Sequence, residues 1–433
     1  MSAIEVNLTV RLTPVASLAR KVVVPVLIFV GTLLAYYLST TELFSREPPN
    51  WFQHHVFLAK AMLNGSFDVG AAGIPDFYHD TITDGTSKYV TFPPGPSVLL
   101  LPFVAIWGTD LPHIPLLGID FSQIYLSMVL GAMNAVLFWY VLGLLNVGRT
   151  TKLLLVPFFA FGTVQFFTAT TGTAWHYAHV SAVFFLFLAI IFLLRKAPPF
   201  VPAIFLGFAF LSREPTILAA PFFAYWIVRQ RHESIFTKEA LLDKQSRFQM
   251  GLFATGLIPF VAFWFFYNFA RFGGPLETGY GTLYERYGDL YPFYPAFGQF
   301  DVRNIPLHLY TIFLMAPDFV PVFIRPSPYG MSVLLTSPAF IYAAFVKRQH
   351  ILKTASWMAI GFVSIPLLLH YSQGWVQFGY RFLLDFAPFL LILTALGFED
   401  NQSPQSTRMK VLLVGISIVV GFWGRYWANE LGW

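Results

Sequence analysis

The residues best suited to proton-transfer chemistry lie in one polar segment that ends in a Pro-Pro-Gly-Pro turn. This segment carries the carboxylates Asp76, Asp80 and Asp84, with His79 and Lys88 among them. A carboxylate that is partly shielded from water has a raised pKa and is able to take a proton from a hydroxyl. Each of the three aspartates is a candidate for such a base. The alternative is that these aspartates only stabilise turns, as Asp often does beside Gly and Thr.

Two arginines are candidates for holding an anion. Arg381 lies four residues before Asp385, so on a helix the two side chains would share a face. One alternative is that the two residues form a structural salt bridge. The other is that Arg381 binds an anionic group, because its forked donors suit phosphate. Arg271 follows a long apolar run and is a second candidate of the same kind. Arg213 and Glu214 are adjacent at a break between two apolar runs and could simply neutralise each other.

Metal and thiol chemistry receive little support from the residue types. His176 and His179 have a spacing that metal ligands use, but imidazoles near a membrane interface often only form hydrogen bonds, and we assign no metal site. The chain has no cysteine, which excludes disulfides, thiolate nucleophiles, zinc–thiolate sites and iron–sulfur clusters. Walker, dinucleotide-binding and HExxH motifs are missing from the sequence, so ATP-driven transport and zinc hydrolysis have no motif support.

The elements that must position these residues are predicted from the composition. Of the 433 residues, 56% are hydrophobic and only 11% charged, whereas soluble domains have about 25% charged residues. An aromatic content of 18% excludes a disordered chain, and solid apolar runs exclude a lipid-facing barrel, which needs alternation. The sequence therefore predicts an all-α polytopic membrane protein, one integral membrane domain over residues 1–433. The dispersed basic residues read as topology signals and not as a nucleic-acid surface.

Eleven apolar runs are candidates for membrane-spanning helices. They are 22–39, 120–145, 153–168, 178–194, 199–211, 215–228, 250–270, 332–346, 355–371, 382–398 and 411–424. Several are shorter than the roughly 20 residues that a span needs, so we expect their ends to extend into the flanking residues. Two further apolar segments, 93–108 and 304–319, contain Pro, Asp or Gly and are expected to lie along the membrane surface.

The distribution of basic residues predicts the sidedness of these spans. With the N-terminus in the cytoplasm and eleven spans, most of the 27 Lys and Arg residues fall in inward loops, as the positive-inside rule requires. The first span has no cleavage site after it and is expected to be retained. Two long external segments result, 40–119 with juxtamembrane helices and 271–331, and the C-terminus lies outside. A span at 93–108, or a single helix over 199–228, would turn basic clusters outward, and both are disfavoured.

Several motifs give the chain a family resemblance. They are Ala-Lys-Ala-Met-Leu-Asn-Gly (59–65), Lys-Tyr-Val-Thr-Phe-Pro-Pro-Gly-Pro (88–96), Leu-Ser-Arg-Glu-Pro-Thr (211–216), Tyr-Asn-Phe-Ala-Arg-Phe-Gly-Gly-Pro-Leu-Glu-Thr-Gly-Tyr (267–280) and Phe-Gly-Tyr-Arg-Phe-Leu-Leu-Asp-Phe-Ala-Pro-Phe (378–389). With a first span followed by a large external loop, the chain resembles the GT-C superfamily of membrane glycosyltransferases. That superfamily includes protein O-mannosyltransferases and aminoarabinose transferases of lipid A, and the last two motifs resemble an uncharacterised bacterial branch.

The resemblance implies an inverting transfer of a sugar from a polyprenyl-phosphate donor to a hydroxyl of a lipid, glycan or protein acceptor. The reaction would take place on the extracytoplasmic face of the plasma membrane or bacterial inner membrane. Asp80, or Asp76, would be the base. The substrate-binding residues that the resemblance implies are Arg381, Arg271, Lys88, His55 and Tyr380. It leaves open whether a divalent cation takes part.

One departure from the family pattern matters for function. GT-C enzymes usually place an acid, often Asp-Glu, just after the first span, whereas this chain has Asn50-Trp51-Phe52-Gln53-His54-His55 there. Either Asp80 or Asp76 has taken over as the base, or His54 or His55 substitutes, or the protein is a non-catalytic GT-C-like accessory subunit or a lipid or glycan transporter. A transporter needs a polar path through the membrane. The span centres are mostly Phe, Leu, Val and Ile, so the transferase is the first hypothesis.

Overall fold

The computed structural model describes residues 14–40, 52–109, 113–114, 119–120, 123–235, 237–287, 297–347 and 350–433. Asn50, Trp51 and parts of both predicted external segments lie outside these ranges. The described chain is mostly helical, as predicted, and it also contains three short two-stranded antiparallel hairpins.

The α-helices are α1 (Pro14–Thr40), α2 (His54–Leu63), α3 (Gly95–Trp107), α4 (Gln123–Leu144), α5 (Arg149–Phe161), α6 (Val164–Thr171), α7 (Ala174–Leu194), α8 (Phe200–Ser212), α9 (Ala220–Arg229), α10 (Lys238–Leu242), α11 (Lys244–Phe272), α12 (Tyr280–Tyr287), α13 (Ile305–Phe313), α14 (Val333–Thr336), α15 (Ile351–Leu369), α16 (Ala387–Asp400) and α17 (Pro404–Leu431). The 3₁₀ helices are Glu214–Ala219, Val302–Asn304, Pro338–Phe345 and Arg381–Asp385. The strands are β1 (Thr81–Asp84), β2 (Ser87–Val90), β3 (His113–Ile114), β4 (Ile119–Asp120), β5 (Asp318–Val320) and β6 (Phe323–Arg325). Strand β1 pairs with β2, β3 with β4, and β5 with β6.

Among the described residues, six helices are long and apolar enough to cross a membrane. They are Val22–Thr40 of α1, α4, α7, α11, α15 and α17. The pair α5 and α6, bent by 46° at a short break, would raise the number to seven if it forms one span. The predicted count of eleven is therefore not confirmed. The runs 215–228, 332–346 and 382–398 each include a 3₁₀ segment, and the 13 residues of α8 reach only about 20 Å, less than the hydrocarbon thickness.

The core is built around α7, whose apolar residues face neighbours on all sides. In α7, 78% of the most apolar 18-residue stretch is buried, as expected for a helix that is hydrophobic on all sides. Phe187 of α7 packs against Phe138 of α4 and Phe159 of α5. At α16 the packing reaches the backbone, because a Cβ at Gly397 would lie 1.9 Å from the carbonyl oxygen of Tyr342.

Hydrogen bonds between the ends of different helices identify the two ends of the helical bundle. At one end, the Asn429 side chain in the last turns of α17 donates to the Ser39 carbonyl at the end of α1 (2.9 Å). At the other, the Glu399 carboxylate of α16 accepts from the Gly148 N–H just before α5 (3.0 Å). Helix α17, with 28 residues, runs from the second end to the first. We call the end that contains Ser39 the site end, because the polar clusters described below lie there.

Candidate active site

Asp80 lies at the site end, immediately before β1, with its backbone in the left-handed region (φ 56°). Asp and Asn are among the few non-glycine residues that adopt this region readily. The Asp80 side chain is half-buried, and its Oδ2 accepts a hydrogen bond from the Trp175 indole N–H at the start of α7 (2.6 Å). The turn thus aims a carboxylate at the end of the most buried helix.

The electrostatic surroundings of Asp80 are those of a shielded carboxylate near positive charge. Burial raises the pKa of Asp80 above its ordinary value. The Trp175 hydrogen bond acts in the opposite direction, as do the charges of His79, Arg381 and Arg286. Because a raised pKa makes an ionised carboxylate a stronger base, this environment suits the role predicted for Asp80.

Asp76 has different surroundings. Its carboxylate is fully exposed and pairs with the Lys88 ammonium of β2 (3.2 Å). Such a solvated ion pair contributes little energy and does not desolvate the carboxylate. The roles predicted for Asp76 as a base and for Lys88 as a phosphate ligand therefore stay predictions, and the pair offers no shielding of the kind seen at Asp80.

The segment that follows the first predicted span packs directly against the residues around Asp80. The His54 Nε2 atom lies 2.6 Å from the His79 carbonyl oxygen, and the Phe52 ring stacks on the His79 ring at 5.4 Å. The segment therefore lies beside the turn that carries His79 and Asp80, although the two are about 25 positions apart in sequence.

His54 and His55 are enclosed by the protein. The His55 Nδ1 atom lies 3.1 Å from the Ser97 hydroxyl, and its Nε2 atom lies 3.3 Å from the Ala174 carbonyl oxygen. Burial lowers the pKa of His55 to about 3 and that of His54 to about 4, so both rings are neutral near pH 7. His55 was predicted to bind substrate, but both of its ring nitrogens are engaged inside the fold.

Two arginines from the second external segment hold the base of the β1–β2 hairpin. Thr81 and Val90 are paired there. The Arg286 guanidinium of α12 donates to the Thr81 carbonyl oxygen (2.8 Å), and the Arg271 Nη1 group donates to the Val90 carbonyl oxygen. The two predicted external segments therefore meet, and their contact lies next to Asp80.

Arg271 itself is committed to this contact. Its guanidinium is buried and donates also to the Tyr267 carbonyl oxygen (3.1 Å) and the Asn268 side-chain oxygen (2.8 Å). It stacks over the Tyr267 ring at 3.6 Å. An arginine with its nitrogens so occupied positions the hairpin, and its predicted part in holding substrate phosphate receives no support from this geometry.

Four basic side chains surround the ring of Phe382, and we call these five residues the Phe382 cluster. The guanidinium carbons of Arg213 and Arg381 lie 5.3 and 5.5 Å from the ring centroid. The imidazole centroids of His179 and His370 lie 5.8 and 6.4 Å from it. The Arg381 Nη1 group donates to the Trp375 carbonyl oxygen (2.9 Å). The guanidinium groups of Arg213 and Arg381 are the cations of this cluster, and a cation so placed can attract an anion.

Asp385 is the carboxylate of this cluster, and its partner is Arg213. The Arg213 Nη2 and Nε groups donate to Asp385 at 2.9 and 3.1 Å, and the His179 Nδ1 atom lies 2.8 Å from the same carboxylate. The expected pairing of Arg381 with Asp385 does not form, because residues 381–385 are a 3₁₀ helix, in which positions four apart no longer align. Since an ionised carboxylate only accepts, His179 carries its proton on Nδ1, and Nε2 is the other edge of the ring.

Tyr380 supports the cluster from behind. Its buried hydroxyl lies 3.0 Å from His308 Nδ1, and His308 Nε2 lies 2.8 Å from the His370 carbonyl oxygen. This chain of contacts joins α13 to the end of α15. The predicted part of Tyr380 in substrate binding stays a prediction.

Sequence reasoning missed Trp175, and it missed the partners of His179 and Glu214. Trp175 binds Asp80, and His179 binds Asp385. Glu214 accepts from the Trp264 indole N–H (2.7 Å). The sequence places Glu214 beside Arg213 and suggests mutual neutralisation, but Arg213 turns to Asp385. The repeated arrangement of an indole and a carboxylate, at Trp175–Asp80 and Trp264–Glu214, has no sequence signal, because the partners are 95 and 50 residues apart.

Within the described ranges, no group of three or more His, Asp or Glu side chains is arranged to hold a metal ion. A comparison of the chain with protein-family models finds no match, and a search among curated proteins finds none either.

Proposed function

We propose that the chain is a GT-C-type membrane glycosyltransferase that moves a sugar from a polyprenyl-phosphate donor to an acceptor hydroxyl. The observation that carries the proposal is the shielded carboxylate of Asp80, held by Trp175 within reach of the charge of Arg381. A base and a cation in that relation are what the transfer requires, since one takes the acceptor proton and the other balances the departing phosphate.

In this mechanism Asp80 accepts the proton of the acceptor hydroxyl as its oxygen forms a bond to the anomeric carbon. The bond between that carbon and the phosphate oxygen breaks on the opposite face, so the configuration inverts. The bonding electrons leave with the polyprenyl phosphate, whose negative charge is held near Arg381 of the Phe382 cluster. Arg213 faces the same ring, and its charge is balanced by Asp385.

We place the reaction on the extracytoplasmic side of the plasma or inner membrane. Six described helices are long and apolar enough to span, and the contacts at the two ends of the bundle support eleven passes in which the broken runs also cross. Basic residues such as Lys152, in the first turn of α5, and Lys196 and Lys347, in short loops, lie at the end opposite the site. The positive-inside rule makes that end cytoplasmic.

A non-catalytic GT-C-like protein, acting as an accessory subunit or as a lipid or glycan transporter, is the second candidate. The observation in its favour is the enclosed state of His54 and His55, which leaves neither imidazole available as a proton acceptor. The two candidate functions differ in whether the polyprenyl-phosphate sugar donor is consumed.

The deciding experiment uses the full chain in nanodiscs with a panel of polyprenyl-phosphate sugars and acceptors. Mass spectrometry follows the release of free polyprenyl phosphate. We expect Asp80→Asn to lower the rate about 100-fold or more, the usual effect of losing a general base. Asp76→Asn is the matched control, the same change four residues away at an exposed carboxylate, and it should retain the rate.

A rate in Asp80→Asn equal to that of the unchanged protein would refute the role of Asp80. Donor binding without release of polyprenyl phosphate, in the unchanged protein as in both variants, would instead support the accessory or transport function.

A further inference from the structure

The hairpin formed by β5 and β6 carries an uncharged, outward-facing tip. Residues 319–324 read Phe-Val-Pro-Val-Phe-Ile, and we call them the finger. The exposed fractions are 73% for Phe319, 86% for Val322, 44% for Phe323 and 47% for Ile324. Large side chains so exposed and so close together are unusual on a surface that faces water, where apolar patches of this kind mark an interaction site.

The charges of the hairpin are confined to its base. Asp318 and Arg325 are paired across the two strands, and their side chains form an ion pair with Nε and Oδ2 3.6 Å apart. Beyond this pair the finger has no charged group, and Pro321 at its turn contributes no N–H donor. A tip without charge and with few polar groups suits an apolar environment better than a specific polar partner.

The β1–β2 hairpin at the same end of the bundle shows the contrasting case. Its exposed tip consists of Thr83, Asp84, Gly85 and Thr86, the polar and glycine-containing composition usual for a turn in water. The two hairpins are both two-stranded and antiparallel. Their tips therefore differ in chemistry and not in architecture, which indicates different surroundings.

The finger adjoins the part of the molecule that we expect at the membrane interface. The Phe323 ring stacks on Trp427 at 4.9 Å, with 30° between the planes. Trp427 lies in the last turns of α17, a candidate span, next to Tyr426, which is 41% exposed. Trp and Tyr are enriched where spanning helices meet the headgroups. The finger thus continues the lipid-facing surface of α17.

Helix α13, just before the hairpin, has its apolar side outward. His308 and Thr311 are buried against the bundle, whereas Tyr310, Phe313 and Leu314 are 48%, 51% and 71% exposed. Its nine residues are too few to cross a bilayer. An apolar outer face on so short a helix fits a position along the membrane surface, in agreement with the expectation for residues 304–319.

We propose that the finger inserts into the lipid leaflet at the site end and, with the outer face of α13, anchors the second external segment to the bilayer. The occupant of this surface is the boundary between headgroups and acyl chains. The observations that select it are the uncharged tip, the stacking of Phe323 on the interfacial end of α17 and the outward apolar face of α13. The inference does not depend on catalysis.

The test uses the absence of cysteine from the chain, which makes any introduced cysteine the single labelling site. Val322→Cys, in the finger, and Thr86→Cys, in the polar hairpin, are labelled with an environment-sensitive fluorophore and reconstituted into phosphatidylcholine vesicles. Quenching is measured with lipids that carry a nitroxide on the acyl chain and, separately, with aqueous iodide.

We expect the label at residue 322 to emit at shorter wavelength, to be quenched by the nitroxide lipid and to be protected from iodide. The label at residue 86 should show the opposite pattern. A label at residue 322 that iodide quenches would overturn the proposal, because the finger would then lie in water. Protection from both quenchers would overturn it as well, because a second copy or another part of the protein would cover the finger. Phe319→Cys provides an independent reading if Val322→Cys folds poorly.

Discussion

At the scale of single residues, the chemistry of the site depends on how one carboxylate is held. Asp80 receives the Trp175 indole N–H at 2.6 Å while burial raises the pKa of its carboxyl group. A hydrogen bond to the charged form of an acid lowers its pKa, and desolvation raises it. The two effects oppose each other at Asp80, so the indole controls the pH above which the base is available.

This balance predicts the effect of Trp175→Phe on the pH–rate profile. The variant loses the N–H but keeps an aromatic ring, so the pKa of Asp80 rises further. A base acts only when deprotonated, and its rate therefore falls as the pH drops through its pKa. We expect the acid limb of the polyprenyl phosphate release rate to move to higher pH in the variant.

Trp264→Phe is the control, because it removes the corresponding indole from Glu214 (2.7 Å) and should leave the limb in place. If the acid limb of Trp175→Phe stays at the same pH or moves to lower pH, the Trp175 hydrogen bond does not lower the pKa of Asp80.

At the scale of elements, the buried pair of Arg213 and Asp385 joins the break after α8 to the turn before α16. Asp385 is fully buried and accepts hydrogen bonds from two nitrogens of Arg213 and from His179. Removing one partner of a buried ion pair leaves an uncompensated charge, whereas replacing both with apolar residues is often tolerated.

We therefore expect Arg213→Met and Asp385→Leu, each alone, to lower the free energy of unfolding by about 3 kcal/mol or more. The double variant should lose less than either single variant. Denaturant unfolding in detergent, measured for all four proteins, gives the coupling energy. Strictly additive losses would mean that the pair does not hold these elements together.

The same pair shows where sequence reasoning reaches its limit. Because Arg381 and Asp385 are four positions apart at the start of an apolar run, the sequence predicts that they share one face of a helix. The chain instead forms a 3₁₀ turn there, and Arg213, 172 positions away, reaches Asp385. Local spacing predicts a local partner only when the local structure is known. Long-range pairs such as this one, or Trp175 with Asp80, are decided by packing.

At the scale of the whole molecule, the helical architecture followed from composition, because so few charges cannot cover a soluble surface of this size. The number of membrane-spanning helices could not be predicted in the same way. Runs such as 215–228 and 332–346 are apolar enough, but prolines and 3₁₀ segments interrupt them. Hydropathy reports which residues avoid water and says less about whether a helix stays continuous across the bilayer.

The sidedness of the molecule can be tested by labelling. Thr86→Cys, in the polar hairpin at the site end, should react with a membrane-impermeant maleimide in sealed right-side-out vesicles. Glu239→Cys, in the exposed helix α10 of the basic loop, should react only after permeabilisation, since the positive-inside rule keeps that loop in the cytoplasm. Reaction of both in sealed vesicles would mean that residues 199–228 cross the membrane once, and the eleven-pass arrangement would be abandoned.

The left-handed backbone at Asp80 (φ 56°) also limits how this position can diverge during evolution. Glycine, asparagine and aspartate tolerate that conformation, whereas alanine, serine or glutamate would strain it. A lineage that abandons the chemistry can thus drop the carboxylate most cheaply through Asn or Gly. In natural relatives of this chain, Asp at this position should accompany activity, and Asn or Gly should mark descendants that kept the scaffold and lost the reaction.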